Sequence, residues 1–486
     1  MSEIYKNYVN GKWVESTSKE TISSINPADS DDLIGYFQSS TIDDADKGID
    51  SAYLAKKTWE TTSQVERGNY LLKAAKYLEK NSDKFAKSIT RECGKAMLES
   101  QGEVGRAIAL LQYYGIEGSN PVGDVVPSVN PKILLYTKKI PLGVVSLITP
   151  WNFPLAIPIW KMAPALVYGN TVVLKPASTT PLIATLIAEM WDDVELPKGV
   201  FNLVVGSGGT VGERLINNPK VNAVSFTGST NTGKDIAVKS AKNGNKFQLE
   251  MGGKNPVIVL PDADLNQAAE ITISGAMKYS GQKCTATSRV IVVGDIVDKF
   301  TELLVQKTKS LSIGPGNDEK SIIVPVIDKS SLDNIENMIN KATKDGAKII
   351  HGGNKISGGI FQKGNFIEPT ILSNVEYDSF IACEEVFGPV LSIIKAKDYD
   401  EAIDIANSVQ YGLSASIFTK NLNLSMDFAE RIEAGVIKIN GETAGLEPQV
   451  PFGGLKSSSS GNREQGKAAI EFFTNTKTIY VDRSAT

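Results

Sequence analysis

The chain has 486 residues, 41% hydrophobic and 22% charged, which is too long for a single hydrophobic core and predicts a globular protein of two or three domains. A formal net charge of -4, without runs of like sign, leaves no basic field for nucleic acid and no patch for a membrane surface. Three cysteines without a CxxC spacing exclude a disulfide framework and point to a reducing, cytoplasmic setting, while the single histidine, His351, argues against a His-based metal site and any Ser-His or Cys-His couple.

In chain order, "MSEIYKNYVNGKW" has neither the apolar core of a signal peptide nor the arginines of a transit peptide. Amphipathic helices are predicted over "DDADKGIDSAYLAKKTWE" and "VERGNYLLKAAKYLEKNSDKFAKSI", whose apolar residues recur at three and four. Residues 140–160 are uncharged and long enough to pass for a membrane span. Pro141, Pro150, Pro154 and Pro158 would break one continuous helix, so a buried strand ("LGVVSLI") leading into an irregular loop ("TPWNFP") is expected instead. Short apolar strands then alternate with helices through "TVVLKP", "VFNLVVG", "NAVSFTG" and "NPVIVL", and again through "RVIVVG", "VLSIIKA", "SASIFTK" and "GVIKIN". This alternation predicts βαβ units in two doubly wound α/β lobes, with a crossover near residues 252–260. "KSSSSGN" (456–462) reads as a flexible loop. The stretches 130–140 and 475–483 alternate like strands outside both lobes, and each reads equally as an arm pairing across subunits or as an ordinary edge strand.

The chemistry-bearing residues are few. Cys284 lies in "GQKCTATSR", after the flexible Gly281 and between Lys283 and Arg289; a free thiol there is either quiet packing or a nucleophile, and without a histidine its base must be a carboxylate. Glu250 closes the strand-like run of "FQLEMGGKNP", where a partly desolvated carboxylate can act on a water or a thiol. Asn152 of "TPWNFPLAIP" carries an amide that can donate to a developing oxyanion. Glycines follow two strands, Gly206, Gly208 and Gly212 in "VVGSGGTVGERL" and Gly228 and Gly233 in "VSFTGSTNTGKDIA". Such turns let amides and a helix N-terminus approach a pyrophosphate, although neither is the strict dinucleotide fingerprint. Lys175 of "NTVVLKPASTTP" sits at a strand's C-terminal end within reach of ribose or phosphate, and Ser178 leaves room for a 2′-phosphate that an acidic residue would repel. Each feature alone has a plain alternative: a buried thiol, a solvated glutamate, a satisfied asparagine, a ligand-free turn, a lysine lying over a strand end.

Their order is more telling. TPWNFP (149–154), VLKPAS (173–178), FTGST (226–230), LEMGGKNP (249–256), GQKC (281–284), EEVFGP (384–389) and PFGGLKSS (451–458) together resemble the NAD(P)-dependent aldehyde dehydrogenase superfamily over nearly the whole chain. The resemblance implies a cofactor-binding domain from residues 1–117 and 141–252, a catalytic domain from 253–444, and oligomerisation arms from 118–140 and 470–486 in a homodimer or homotetramer. It implies that Cys284 adds to an aldehyde carbon, that the Asn152 amide and the Cys284 backbone N–H hold the oxyanion, and that Glu250 activates the water that hydrolyses the thioester; no metal is implied. For the cofactor it implies Thr149, Pro150 and Trp151; Lys175, Ser178, Gly208 and Gly212 at the adenosine end; Phe226, Gly228 and Ser229, the last capping a helix that faces the diphosphate; and Gly252, Glu385 and Phe387 about the nicotinamide ribose and ring. Ser178 stands where NAD-preferring members often carry Glu, so NADP is expected, with NAD possible. Cys93 and Cys383 are expected to be packing.

Members acting on succinic semialdehyde grip its carboxylate with two arginines, and the corresponding positions here hold Trp160 and Lys278. The surrounding sequence, with "GLEPQVPFGG" and "EFFTNTKTIYV", most resembles 2,5-dioxopentanoate (α-ketoglutaric semialdehyde) dehydrogenases. That implies Phe153, Trp160, Lys278 and Phe452 about the substrate, with Lys278 or the backbone of the 441–450 loop at its distal carboxylate. Succinic semialdehyde, glyceraldehyde or a broad set of aldehydes are the alternative substrates; Glu250 disfavours a coenzyme A-acylating member. A catalytically silent binding protein on the same scaffold is the alternative of another class. Val324 replaces the family's usual Gly before Pro325, which leaves that turn open.

Overall fold

The computed structural model describes residues 3–485. Thr41 starts the first long helix, α1 (Ile42–Thr61): its side chain accepts from Asp44 N while the Asp44 carboxylate accepts from Thr41 N, a reciprocal box that satisfies two otherwise unpaired amides. The amphipathic stretch over 65–89 is two helices rather than one, α2 (Gln64–Lys80) and α3 (Ser82–Cys93). They part at Asn81, whose side chain donates to the Tyr77 carbonyl and competes with the helical ladder. Gly94, at φ +73, ends α3, and α4 (Met97–Glu117) follows.

Two sheets organise the rest. The first runs Ser459–Ser460, Lys246–Glu250, Ala223–Thr227, Val144–Ile148, Thr171–Lys175, Phe201–Leu203, Asn7–Val9, Lys12–Val14, and its strands from Lys246–Glu250 to Phe201–Leu203 are parallel, with Val145 beside both Val172 and Ala223. The second runs Lys348–His351, Thr370–Ser373, Val390–Ala396, Thr287–Val293, Asn255–Val259, Ser414–Phe418, Val436–Ile439, parallel except for its first pair. The central strands are buried on both faces, as continuous apolar runs in a helix-covered parallel sheet must be. Apolar clusters fill both sides of each sheet.

This topology makes the crevice. After Val144–Ile148 the chain lays its next strands on one side, then returns to add Ala223–Thr227 on the other, so the loops leaving Ile148 and Thr227 diverge at the C-terminal edge of the sheet. Residues 251–254 cross to the second sheet, whose strands Thr287–Val293 and Val390–Ala396 follow closely on Cys284 and Glu385. The strand does run into an irregular stretch, 149–155, and a helix then follows: α5 (Ala156–Val167) takes Pro158 in its first turn, where no N–H is needed, and carries Pro164 inside a fully buried helix.

"KSSSSGN" is not a loose loop. Ser459–Ser460 is an edge strand against Lys246–Glu250, and Leu455–Lys456 pairs with Tyr411–Gly412. The two outlying stretches pair with each other: Ile133–Pro141 lies antiparallel to Thr474–Asp482 along its whole length, and Val125–Val126 adds a third strand. Val324 needs no glycine's freedom, since its N–H and carbonyl both bond the Ser280 hydroxyl. His351 ends a half-buried edge strand. Among the described residues no helix is long and apolar enough to cross a membrane.

Candidate active site

The crevice is a cleft of about 700 Å³, walled by Pro150, Trp151, Asn152 and Ile157 on one side, by Thr227, Gly228 and Ser229 on a second, and by Met251, Gly252, Cys284, Glu385 and Phe387 on the third. Gly252 must be bare: a Cβ there would lie 2.4 Å from Glu385 Oε2, and the next residue, Gly253, donates its N–H to Glu385 Oε1 at 2.9 Å. Burial first, then the charge of Glu384, push the Glu385 carboxyl up to about 7, against the pull of the Gly253 bond and Lys254. Phe387 adopts a left-handed backbone, φ +55, and its ring meets Trp151 edge-on at 5.5 Å.

Cys284 is projected by a sharp turn. Tyr279, Ser280 and Gly281 all have positive φ, and a Cβ on Gly281 would lie 2.1 Å from the Gly388 carbonyl. The half-buried thiol is pushed up to about 12, first by burial and then by the charges of Glu385 and Glu250. The neighbouring cations do not relieve it. Lys283 turns to Glu442 at 3.4 Å, and Arg289, fully buried, donates to the carbonyls of Lys254, Ile405 and Ala406. At neutral pH the sulfur is therefore protonated until a carboxylate takes its proton.

Asn152 is tied to the same loop, Nδ2 donating to the Gln282 carbonyl at 3.1 Å, and Gln282 is anchored in turn by Ile327 N. A clamp that sequence reading missed holds Asn152 from behind. Lys95 Nζ donates to the Asn152 carbonyl at 2.9 Å and pairs with Glu103 Oε2 at 2.5 Å, while Glu103 Oε1 accepts from Leu155 N and Ala156 N at the start of α5. Lys95 also lies 4.0 Å over the Phe153 ring and 4.3 Å over Tyr279. Cys93, two residues before Lys95 and buried as expected, donates its thiol to the Trp151 carbonyl at 3.6 Å. No local pattern marks the clamp, since Lys95 and Glu103 stand in the mixed stretch CGKAMLESQGEVGR with Glu99 between them.

Glu250 differs from expectation. Rather than standing partly desolvated at the cleft, its carboxyl is 2% exposed and accepts from Ser459 Oγ at 2.6 Å, with the Gly453 turn packed against it. Burial and then the charge of Glu464 push it well above the usual carboxylate range. Glu464 itself is paired with the buried Lys161, which donates to Ser225 Oγ. The edge strand carrying Ser459 is what turns the carboxyl inward.

A second polar group lies along the same sheet edge. Lys175 Nζ donates to the carbonyls of Pro176 and Gly206, burial lowers it to about 8, and the half-buried Ser178 donates to the same Gly206 carbonyl at 3.2 Å. A Cβ on Gly212 would lie 3.7 Å from Lys175 Cδ, one on Gly208 would meet open space, and Ser229 caps the helix Thr230–Asn243 by accepting from Thr232 N. Thr149 Oγ1 and Thr227 Oγ1 are buried without partners. Phe226 is the exception: its ring lies beneath Gly228 in the core and does not face the cleft. On the other side of the Asn152 loop, Trp160 packs on Phe452 at 5.6 Å and Phe153 on Tyr279 at 6.2 Å. Lys278 is not with them; it is exposed in a separate cleft of about 1060 Å³ with Met97, Glu99 and Asp318. Cys383 is half-buried near the Tyr377 carbonyl.

Residues 13–479 match the aldehyde dehydrogenase family. The chain is 49% identical to an alpha-ketoglutaric semialdehyde dehydrogenase of Bacillus subtilis over 98% of each chain. It is 43% identical to a 2,5-dioxopentanoate dehydrogenase of Saccharolobus solfataricus over 96% of this chain and 98% of that one. A betaine aldehyde dehydrogenase from Staphylococcus aureus in complex with NAD+ has a TM-score of 0.96 and 33% identity, over 99% of this chain and 95% of its own. A 3,6-anhydro-L-galactose dehydrogenase in complex with NADP has a TM-score of 0.95 and 35% identity, over 99% and 100%.

Proposed function

The chain belongs to the aldehyde dehydrogenase family, an NAD(P)-dependent oxidoreductase, and from that premise we propose that it oxidises 2,5-dioxopentanoate to 2-oxoglutarate through Cys284, with NADP as its preferred cofactor. The observation that carries the reaction is the meeting of Cys284, the Asn152 amide and Glu385 in one cleft at the sheet switch point. The names of the semialdehyde dehydrogenases to which the chain is similar support the substrate.

The residues present fit a dinucleotide: two unpartnered threonine hydroxyls, a capped helix N-terminus, and a Gly252 whose missing side chain lets the Glu385 carboxylate lie against the cleft wall. When bound, the oxidised nicotinamide supplies a hydride acceptor and a positive ring. The protein's own steps follow from its groups. A carboxylate takes the Cys284 proton, sulfur bonds the aldehyde carbon, and the resulting oxyanion is held by Asn152 Nδ2 and the Cys284 N–H. After oxidation, Glu250 turns from Ser459 toward the cleft, ionises there by releasing its proton to solvent, takes a proton from the attacking water and directs the hydroxide to the thioester carbon; the carbon–sulfur bond breaks and the departing sulfur receives that proton, which restores the thiol. Asn152 thus works as an electrostatic donor, and Glu250 as a base drawn from a buried reserve. Ser178 supports NADP, because a serine rather than a carboxylate that would repel a 2′-phosphate stands at this position of the motif. The exposed Val125, Leu134, Tyr480 and Val481 on the three-stranded sheet support a homodimer or homotetramer, and the sparse cysteines a cytoplasmic setting.

Initial rates with 2,5-dioxopentanoate, succinic semialdehyde and glyceraldehyde under NADP and under NAD test this reading. The expected outcome is the highest kcat/KM for 2,5-dioxopentanoate with NADP. A higher value for another aldehyde overturns the substrate, a higher value with NAD overturns the cofactor, and no turnover with any aldehyde favours a silent scaffold.

A further inference from the structure

Beyond the Asn152 loop lies a group of hydrogen-bond donors with no anion to receive them. Arg106, on α4 one turn after Glu103, is half-buried; its Nη1 donates to the Leu446 carbonyl and its Nη2 to Gln465 Oε1 at 2.7 Å. Both acceptors are neutral, and among the described residues no carboxylate pairs with this guanidinium. Glu103, the nearest acid along the helix, spends its oxygens on Lys95, Leu155 N and Ala156 N. Glu464 is neutralised by Lys161. Two further donors are buried without acceptors: Gln465 Nε2, in a residue 1% exposed, and Trp160 Nε1, in one 8% exposed. A half-buried cation facing only dipoles, bonded to a residue with an unused buried N–H and near a second such donor in the same cluster, is the expected form of an anion site.

Contacts join this group to the reacting sulfur. Phe452 packs its ring on Trp160 and pairs its backbone with Glu464, the residue before Gln465. Leu446, Arg106's carbonyl partner, is on the loop whose Thr443 donates to the carbonyl of Thr285, the residue after Cys284. Leu446, Phe153 and Cys284 pack on one apolar cluster with Trp160 and Phe452. Gly102 and Gly105, flanking on α4, have no atom within 4 Å of a Cβ position, which leaves room beside the guanidinium.

We propose that Arg106, with the Trp160 indole and the Gln465 amide, is the subsite that binds the distal carboxylate and neighbouring oxo group of a short 2-oxo acid aldehyde. The inference rests on the substrate reading above and replaces Lys278 in that role. Guanidinium and carboxylate meet through parallel, charge-assisted bonds, and the indole N–H suits a carbonyl oxygen. The anion would take Arg106's free donors while the bonds to Leu446 and Gln465 hold the fork in place.

The test compares 2,5-dioxopentanoate with pentanal, a neutral aldehyde of equal carbon count, in wild type, Arg106→Met and Arg106→Lys. In Arg106→Met the ratio of kcat/KM for the anionic to the neutral aldehyde falls roughly 10- to 100-fold, through KM, and Arg106→Lys lies between. Inhibition of pentanal oxidation by 2-oxoglutarate weakens in the same order. An unchanged ratio, with inhibition retained in Arg106→Met, overturns the subsite and leaves Arg106 as a strap for the 446 loop. If Arg106→Met does not fold, Arg106→Lys carries the same comparison. If the wild type prefers pentanal, the substrate reading fails, and the subsite is judged on 2-oxoglutarate inhibition alone: its loss in the variants supports the site, its persistence removes it.

Discussion

Lys95→Met removes the cation that holds the Asn152 loop. Lys95 and Glu103 are 1% and 3% exposed, so the variant strands a carboxylate that keeps two backbone N–H donors and has no counter-charge. Breaking one side of a buried pair costs about 3–5 kcal/mol. Methionine keeps an unbranched side chain beside Phe153 and Tyr279, so the loss is the ammonium's charge, its hydrogen bonds and its contact with the two ring faces. At about 2.1 cal/mol/K per residue, unfolding entropy over 486 residues is about 1 kcal/mol/K, so calorimetry should show Tm lower by about 3–5 °C if the chain melts as one unit. Adding Glu103→Gln removes the stranded charge while keeping an acceptor for Leu155 and Ala156, and the double variant should recover more than half of the Tm loss. It should not recover kcat, because the Asn152 carbonyl still lacks its donor and the amide above it is less firmly aimed. A single variant melting within 1 °C of the wild type, or a double variant no more stable than the single, refutes the reasoning.

Asn152→Ala should lower kcat by about 100- to 1,000-fold, as loss of one oxyanion donor does, with cofactor affinity measured by fluorescence titration little changed. Ser178→Glu should cut kcat/KM for NADP by at least about tenfold, close to 1.4 kcal/mol, and turn the preference toward NAD in paired initial-rate assays. With the Cys284 thiol held at about 12, alkylation of the free enzyme by iodoacetamide should quicken about tenfold per pH unit between pH 7 and 10, and Glu385→Gln should quicken it above about pH 7, where the Glu385 carboxyl is ionised; a plateau below pH 9 contradicts this. The linkage runs the same way: a thiol raised on folding keeps its contribution below about 8.5, its unfolded value, and loses it as pH rises toward 12, so wild type should lose Tm relative to Cys284→Ala across that window. Gly281→Ala combines a left-handed φ with a Cβ 2.1 Å from the Gly388 carbonyl and should cost at least about 1–3 kcal/mol in denaturant unfolding, with most activity lost.

Much of the molecule is legible because it is local. Alternating apolar runs and amphipathic spacing follow from backbone geometry within a few residues, and they marked the parallel strands and the crossover. Glycines after strands marked the turns that border the cleft, where Asn152, Gly252, Cys284, Glu385 and Phe387 lie together. Where a segment's own pattern was weak, local reading went astray: the serine run at 456–462 has no apolar alternation, yet pairing with Lys246–Glu250 makes part of it a strand.

By itself, then, the sequence determined the kinds of element, the motif order and the residue types available for chemistry, since these depend on neighbours along the chain. Only the tertiary structure decided which way the groups point. Glu250 faces Ser459 across 209 residues, Phe226 turns into the core, Lys278 opens on a different cleft, and Lys95 grips Asn152 from another helix connection. Each orientation is set by sheet register and burial between segments far apart in the chain, where the cost of an unpartnered polar group selects the partner and no short stretch of sequence records the choice.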